Sequence, residues 1–149
     1  MIINENLYSG KDIYVPPNNV VYQFLPVKFE INFEVGKSYT ISCEVSLSKG
    51  DSCTLRIFNK DYSKNLFTKI WTAGSRNSLT FKFDDSNEYV FAFYAGIAGK
   101  TNNIKAYYKK IKLEKGEEMT PYLPHKSKAK PENQAIFPIG GGYHEVFPI

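Results

Sequence analysis

The sequence has few of the residues on which most enzymes and metal proteins depend. Its 149 residues include two cysteines, two histidines and one tryptophan. Cys43 and Cys53 form neither a disulfide framework nor a metal motif, and we expect two buried thiols. His125 and His144 lack metal-ligand spacing and do not lie near a nucleophilic Ser or Cys. We therefore expect no cofactor, no metal and no enzymatic activity; two carboxylates converging for glycosidic cleavage are the remaining catalytic alternative.

Long apolar runs and a basic, apolar leader are also missing. No apolar run is long enough to cross a bilayer, so no membrane association is expected. The net charge of +4 is mild, and lysines are interleaved with Asp and Glu through most of the chain. Because a phosphate backbone needs a continuous basic surface, nucleic-acid binding is not expected either.

Aromatic residues are abundant, with 11 Tyr and 11 Phe, and apolar and polar residues alternate along much of the chain. A period of two residues, with odd-numbered side chains inside, runs through 29–35, 39–47, 53–57 and 79–83. The nearly continuous apolar segment 89–94 predicts a central strand covered on both faces. Turn-forming residues separate these runs, so the fold class is all-β, an antiparallel sandwich or barrel.

Two details of strand pairing follow from the same pattern. The inward residues on both sides of Lys49 and Gly50 are odd-numbered, which favours a hairpin with Leu47 opposite Cys53 and Cys43 opposite Ile57. In the last long strand the inward phase changes from even positions (104 and 106) to odd ones (111 and 113). This change predicts a β-bulge near 107–109, or a strand buried on both faces.

Candidate ligand-binding residues are the aromatic side chains that could serve as platforms for a sugar ring, next to planar hydrogen-bonding groups. In 66–71, either Leu66 and Ile70 or Phe67 and Trp71 face the core. If Leu66 and Ile70 are inside, Trp71 is an exposed platform near Arg76; a core tryptophan is the commoner arrangement. Further candidates of the same kind are Tyr94, Tyr107 and Tyr108.

The character of the chain changes after Pro121. The triplet Phe-Pro-Ile occurs at 137–139 and again at 147–149, separated by a glycine-rich tract. Proline and glycine disfavour regular pairing, which predicts an extended arm at 125–149 after a domain at 1–124. The alternatives are an arm that docks on a partner protein and a terminus that frays or folds back over its own domain. The docking residues would be Phe137, Ile139, Tyr143, Phe147 and Ile149.

Residues 111–124, IKLEKGEEMTPYLP, resemble the "KLEKG…TPY…P" ending of carbohydrate-binding-module-like jelly rolls in phage tail-fibre, baseplate and minor structural proteins. The opening at 5–9 and the strand at 37–42 are similar to that family in weaker ways. The resemblance implies an antiparallel jelly-roll β-sandwich, here with an extended C-terminal arm, in a virion component made in the host cytoplasm.

Two functions are compatible with this resemblance. The first is a tail or baseplate module that contributes to recognition of a host cell-wall saccharide or to assembly of the receptor-binding apparatus. The second is a tail adaptor or capsid decoration protein held by its arm, without a sugar site. Both imply other phage structural proteins as partners, with a homo-oligomer or an assembly formed through the arm.

Overall fold

A computed structural model of the chain describes residues 2–29, 31–84, 88–128 and 143–145. These residues form strands and one 3₁₀ turn at Lys126–Lys128, and they contain no helix that is long and apolar enough to span a membrane. The strands are β1 (Ile2–Asn4), β2 (Ile13–Val15), β3 (Phe24–Val27), β4 (Ser38–Leu47), β5 (Ser52–Asn59), β6 (Asn65–Thr72), β7 (Arg76–Lys82), β8 (Tyr89–Tyr94), β9 (Ala106–Lys115) and β10 (Tyr143–Glu145).

Eight of these strands form two four-stranded antiparallel sheets that enclose one core. The first sheet has the order β2–β9–β4–β7 and the second has the order β3–β8–β5–β6. From β2 to β9, only β5 and β6 are consecutive and paired; every other connection crosses from one sheet to the other. This is the strand order of a jelly roll built from two Greek keys. The predicted all-β jelly-roll sandwich is therefore confirmed.

The two-residue alternation correctly identified the inward side chains of several strands. In β4 and β5 the odd-numbered residues are buried, with Ile41, Cys43, Leu55 and Ile57 fully inaccessible. All six residues of β8 are buried, as predicted for a central strand covered on both faces, and β8 lies between β3 and β5.

The strand predicted over 29–35 is wrong. Residues 28, 29 and 31–34 lie in no strand and connect β3 of the second sheet to β4 of the first. The inward phase persists as far as Phe33, because Phe29 is buried, its ring contacts Phe91 edge-on at 4.5 Å between centroids, and Phe33 packs against the core. Val35, predicted to face inward, is 59% exposed. The segment thus keeps an alternating pattern without a strand partner, since its apolar side chains cover one end of the core.

The predicted hairpin at Lys49 and Gly50 is also wrong. β4 and β5 belong to different sheets, so Leu47 lies opposite Ala106 and Cys53 lies opposite Trp71. Odd-numbered side chains of both strands do face the same core, but from opposite sides. Alternation therefore identified the buried face of each strand and did not identify its neighbour.

The predicted β-bulge is confirmed, slightly further along the chain than expected. Opposite β4, the partners step from Ser42–Lys112 to Glu44–Lys109, which leaves one extra residue in β9. Lys110 adopts a positive φ of 50° at this position. The bulge moves the inward phase from Tyr108 to Ile111, as the sequence required.

Part of the predicted arm returns to the sandwich. Residues 143–145 form β10, which pairs antiparallel with β1 and places Tyr143 opposite Asn4. The other four predicted docking residues lie outside the described part of the chain, so docking on a partner stays a prediction; they are Phe137, Ile139, Phe147 and Ile149.

The core holds two free thiols and a buried phenol whose burial predicts sensitivity to alkali. Burial raises the pKa of Cys53 from 9.0 to about 11, raises that of Cys43 well above its usual value, and does the same for Tyr108. The folded state favours the neutral form of each group. Their contribution to the free energy of unfolding is therefore fully present below pH 9 and decreases as the pH rises toward 11. Cys53 alone accounts for about 2–3 kcal/mol of this loss.

Urea denaturation at pH 8 and pH 11 under reducing conditions measures this effect. Cys53→Ala should be less stable than the wild type at pH 8 because it creates a small cavity, but its stability should fall less between the two pH values. Equal falls in both proteins would contradict a buried, neutral Cys53 thiol.

Candidate functional site

The outer face of the first sheet is closed by the chain itself around Lys112 and Glu114, and it is open at Tyr14 and Tyr107. Lys112 and Glu114 point away from the core, yet both side chains are fully buried beneath the segment that follows β9. Lys112 Nζ donates to Thr120 Oγ1 at 2.7 Å and to the Pro121 carbonyl at 2.8 Å, and it lies 3.8 Å from Glu114 Oε1. Glu114 accepts hydrogen bonds from the Thr120 amide and from Asn4 Nδ2. This part of the segment 111–124 therefore has a structural role.

Arg76 belongs to the same closed face. Its guanidinium donates to the Lys110 carbonyl at 2.8 Å and to Ser42 Oγ at 2.9 Å, and its Cζ lies 5.3 Å from the centroid of the Tyr122 ring. These contacts hold the β9 bulge against β4 and β7. The predicted arrangement of Arg76 beside an exposed Trp71 platform is wrong because Trp71 is buried, while ligand binding by Arg76 itself stays a prediction.

The outer face of the second sheet carries aromatic side chains instead of a covering segment. Its members come from the start of β3, the end of β8, the end of β5, the β5–β6 loop and the segment before β3. We name this surface the aromatic face, and define it as Tyr22, Phe24, Arg56, Phe58, Tyr62 and Tyr94.

Four rings of the aromatic face form a connected layer. Phe24 lies 5.0 Å from Tyr94 and 6.3 Å from Tyr62 between ring centroids, and Tyr62 lies 5.5 Å from Phe58. Tyr94 is 2% exposed, whereas Phe24 and Phe58 are half-buried and Tyr62 is 45% exposed. Tyr94 is therefore the floor of the layer, and the other three rings present their surfaces to solvent. This layer explains why both faces of β8 are covered.

The loop that carries Tyr62 is held by its own hydrogen bonds. Asn59 accepts from the Lys64 amide at 2.9 Å and donates to Ser63 Oγ at 2.7 Å, and Asp61 accepts from the Ser63 amide at 3.0 Å. Tyr62 has a φ of 63°, a conformation that is unfavourable for a bulky residue. Strain of this kind persists where the surrounding structure enforces it, often at binding sites. The loop thus fixes one exposed ring before any ligand arrives.

Arg56 lies at the centre of the aromatic face. It is opposite Ala92 on β8 and Thr68 on β6, and its Cζ lies 5.5 Å from the centroid of the Tyr94 ring. Among the described residues Arg56 forms no ion pair, and its buried Nε has no hydrogen-bond partner. Burial raises the pKa of Tyr94, and the neighbouring positive charge of Arg56 opposes that shift.

The predicted platform residues do not form one site. Trp71 is 1% exposed, and its Nε1 donates to the Ser78 carbonyl at 3.1 Å, so the prediction of an exposed platform is wrong. Phe67 and Trp71 face the core while Ile70 is exposed, because the larger rings remove more apolar area from water. Tyr108 is also fully buried, with its hydroxyl donating to the Tyr94 carbonyl, and so it is not a platform.

The remaining two candidates occupy different surfaces. Tyr94 belongs to the aromatic face, although it is covered and supports the other rings. Tyr107 is 49% exposed beside Tyr14 on the outer side of the first sheet, with ring centroids 5.8 Å apart. The residues that the sequence analysis missed are Tyr22, Phe24, Arg56, Phe58 and Tyr62.

A cleft of about 470 Å³ opens between the sheets at one end of the sandwich. It is lined by core rings, including Phe67, Phe83 and Tyr89. The Tyr89 hydroxyl is already occupied, since it donates to the Lys82 carbonyl and accepts from the Asp84 amide. Lys82 and Asp84 also line the cleft. We take the aromatic face as the candidate site because its rings form a connected layer next to a guanidinium.

The fold and this surface define a class: an antiparallel jelly-roll β-sandwich with one sheet face partly closed by its own chain and the other carrying an aromatic layer. No protein-family model matches the chain, and no curated protein matches it. A solved structure described as "CBM4 structure and function" is similar over 70% of this chain and 71% of its own, with a TM-score of 0.47 and 16% identity. That degree of similarity assigns neither a ligand nor an activity.

Proposed function

We propose that the protein is a non-catalytic saccharide-binding domain whose ligand stacks on the aromatic face. The observation that carries this proposal is the layer formed by Phe24, Phe58 and Tyr62 above Tyr94, with Arg56 at its centre. Sugar rings have C–H faces that pack against aromatic rings, and their hydroxyl edges need hydrogen-bonding partners. Both kinds of partner are combined on this one surface.

Preorganisation supports binding by this surface. The hydrogen-bonded loop 59–64 already fixes Tyr62, and the contacts with Tyr94 and Tyr62 restrict Phe24. Little side-chain entropy is therefore lost when a ligand binds, which favours affinity from a small contact area. An aromatic layer with these properties is suited to a rigid, flat-faced ligand.

A non-catalytic role is consistent with the composition of the face. Hydrolysis of a glycosidic bond generally requires two carboxyl groups about 5–10 Å apart across the bond. None of the six residues that define the aromatic face is acidic. The nearest acidic residue in the loop, Asp61, accepts a hydrogen bond from the Ser63 amide.

We further propose that the domain acts in a phage tail or baseplate, in host cell-wall recognition or in positioning the receptor-binding apparatus. The support for this placement is the resemblance of residues 111–124 to phage jelly rolls. An adaptor held by its arm remains the alternative, and the apolar triplets at 137–139 and 147–149 favour it. The two differ in whether the aromatic face binds a saccharide.

The test is binding of the full chain to a panel of purified polysaccharides and isolated peptidoglycan, measured by affinity electrophoresis and pull-down. The double variant Phe58→Ala/Tyr62→Ala should lose about 2–3 kcal/mol of binding free energy, or roughly 30- to 150-fold in affinity, because two stacking rings are removed. A matched control is Tyr14→Ala/Tyr107→Ala, which removes two exposed rings from the opposite sheet.

The control double variant should bind like the wild type. Equal binding by the wild type and Phe58→Ala/Tyr62→Ala would contradict the proposal, as would equal losses in both double variants. Absence of binding to every member of the panel would favour the adaptor alternative.

A further inference from the structure

We infer that the saccharide bound by the aromatic face is anionic and that Arg56 receives its acidic group. This inference rests on the proposed function and names the chemical class of its ligand. The two arginines of the chain differ in their partners. Arg76 donates to Lys110 and Ser42 and lies near Glu44, whereas Arg56 has no ion-pair partner among the described residues.

The surroundings of Arg56 leave its charge available. Its strand neighbours in the sheet are Ala92 and Thr68, neither of which carries a charge. Thr68 Oγ1 already accepts a hydrogen bond from Asn65, and Thr54 Oγ1 accepts one from the Ala98 amide. The guanidinium is therefore held over an aromatic ring by strand geometry and is not neutralised by a carboxylate of its own chain.

A guanidinium that is partly desolvated and has no ion-pair partner among the described residues favours a particular kind of ligand. The planar guanidinium matches a carboxylate or a phosphate with two parallel hydrogen bonds, and each of those bonds is strengthened by charge. A neutral sugar hydroxyl can fill the same space but forms a weaker interaction, because only the donor is charged and the two parallel bonds are not made.

The charge of the wider surface agrees with this choice. The chain carries a net charge of +4, which attracts anionic polymers. The Tyr62 loop contains Lys60 and Lys64 against one acidic residue, Asp61. Uronic-acid polymers and phosphorylated glycans share the chemistry that this site fits: a flat sugar ring bearing an acidic substituent.

The experiment compares polymers that differ only in charge. Polygalacturonate is paired with its methyl ester, and a phosphomannan is paired with unphosphorylated mannan, so the two pairs separate carboxylate from phosphate recognition. The full-length wild type should bind at least one acidic polymer about tenfold more tightly than its neutral partner. Adding about 0.5 M salt should reduce this preference because the charges are partly exposed.

Variants of Arg56 assign the preference to this side chain. Arg56→Gln should reduce the acidic-to-neutral affinity ratio to between about 1 and 3, because it removes the charge and keeps a hydrogen-bonding amide next to the aromatic rings. Lys49→Gln removes the same charge from the exposed β4–β5 turn and should keep the wild-type ratio. Arg56→Lys should keep a preference for the acidic polymer but bind it more weakly, since an ammonium cannot form the paired contact.

The possible outcomes separate this inference from the function on which it depends. Equal wild-type affinity within both polymer pairs, or equal effects of Lys49→Gln and Arg56→Gln, would overturn the anionic assignment while leaving saccharide binding intact. If Arg56→Gln fails to fold, Arg56→Lys is the deciding variant. An acidic-to-neutral affinity ratio and an affinity for the acidic polymer that both equal those of the wild type would show that Arg56 makes no two-point contact with the acidic group. Insensitivity of all binding to Phe58→Ala/Tyr62→Ala would overturn the proposed function itself.

Discussion

Glu114→Ala is expected to lower the free energy of unfolding by about 3–5 kcal/mol, because it leaves the buried Lys112 ammonium without its carboxylate. Both side chains are fully inaccessible, and burial already lowers the pKa of Lys112 from 10.5 to about 8. The variant protein would have to bury an uncompensated charge or release the proton. At pH 7, releasing the proton of a lysine with an unfolded pKa of 10.5 costs about 4.8 kcal/mol, which limits the penalty.

Replacing the other member of the pair should be less destabilising. In Lys112→Met, Glu114 still accepts hydrogen bonds from the Thr120 amide, Thr120 Oγ1 and Asn4 Nδ2. A carboxylate with three donors remains partly compensated, so we expect a loss of about half that of Glu114→Ala. Chemical denaturation monitored by far-UV circular dichroism measures both variants.

The matched control is Glu44→Ala on the same sheet. Glu44 is partly exposed, and its oxygens lie 4.0 Å from Arg76 and 3.7 Å from Lys110, so its loss should cost less than about 1 kcal/mol. Equal stabilities of Glu44→Ala and Glu114→Ala would show that the segment after β9 does not close the outer face of the first sheet.

The sequence predicted which side chains are buried better than it predicted which strands are neighbours. A period of two residues reports that one face of a strand is covered, and Ile41 and Leu55 obey it in different sheets. It carries no information about the sheet to which a strand belongs. The hairpin was therefore wrong although every inward residue used to argue it was correctly assigned.

The strand predicted over 29–35 failed for a related reason. An extended segment that crosses the end of a sandwich can bury alternate side chains without a hydrogen-bonded neighbour. The bulge in β9, in contrast, was predictable because a phase change within one strand is a local property. Local patterns thus predicted local geometry, while the jelly-roll connections required the resemblance at 111–124 or the structure itself.

The candidate site was predicted less well because the prediction of a platform depended on the lone tryptophan. An indole is most often covered, and Trp71 follows that tendency. A better signal was present in β8: a strand that is apolar on both faces implies that something covers its outer side. Here Phe24 and Arg56 cover Tyr94 from neighbouring strands. The β5–β6 loop then adds Tyr62, whose position depends on a backbone conformation that composition does not reveal.

Trp71→Ala is expected to destabilise the fold by about 3–5 kcal/mol, because it removes the largest buried side chain on the inner face of β6. The cavity would open beside Tyr108, whose ring centroid lies 6.4 Å from that of Trp71, and would leave the Ser78 carbonyl without the indole donor. Thermal and urea denaturation measure the loss.

Trp71→Phe separates the lost volume from the lost hydrogen bond. It retains most of the ring and should cost only about 1–2 kcal/mol, including the unpaired Ser78 carbonyl.

Because Trp71 is the only tryptophan, wild-type emission should also be blue-shifted and should move to longer wavelength on unfolding. Where Trp71→Phe remains folded, its polysaccharide affinity should equal that of the wild type, since the indole lies on the opposite side of the sheet from the aromatic face. A stable Trp71→Ala protein with solvent-exposed wild-type emission would return the indole to the surface and reverse the assignment of faces in β6.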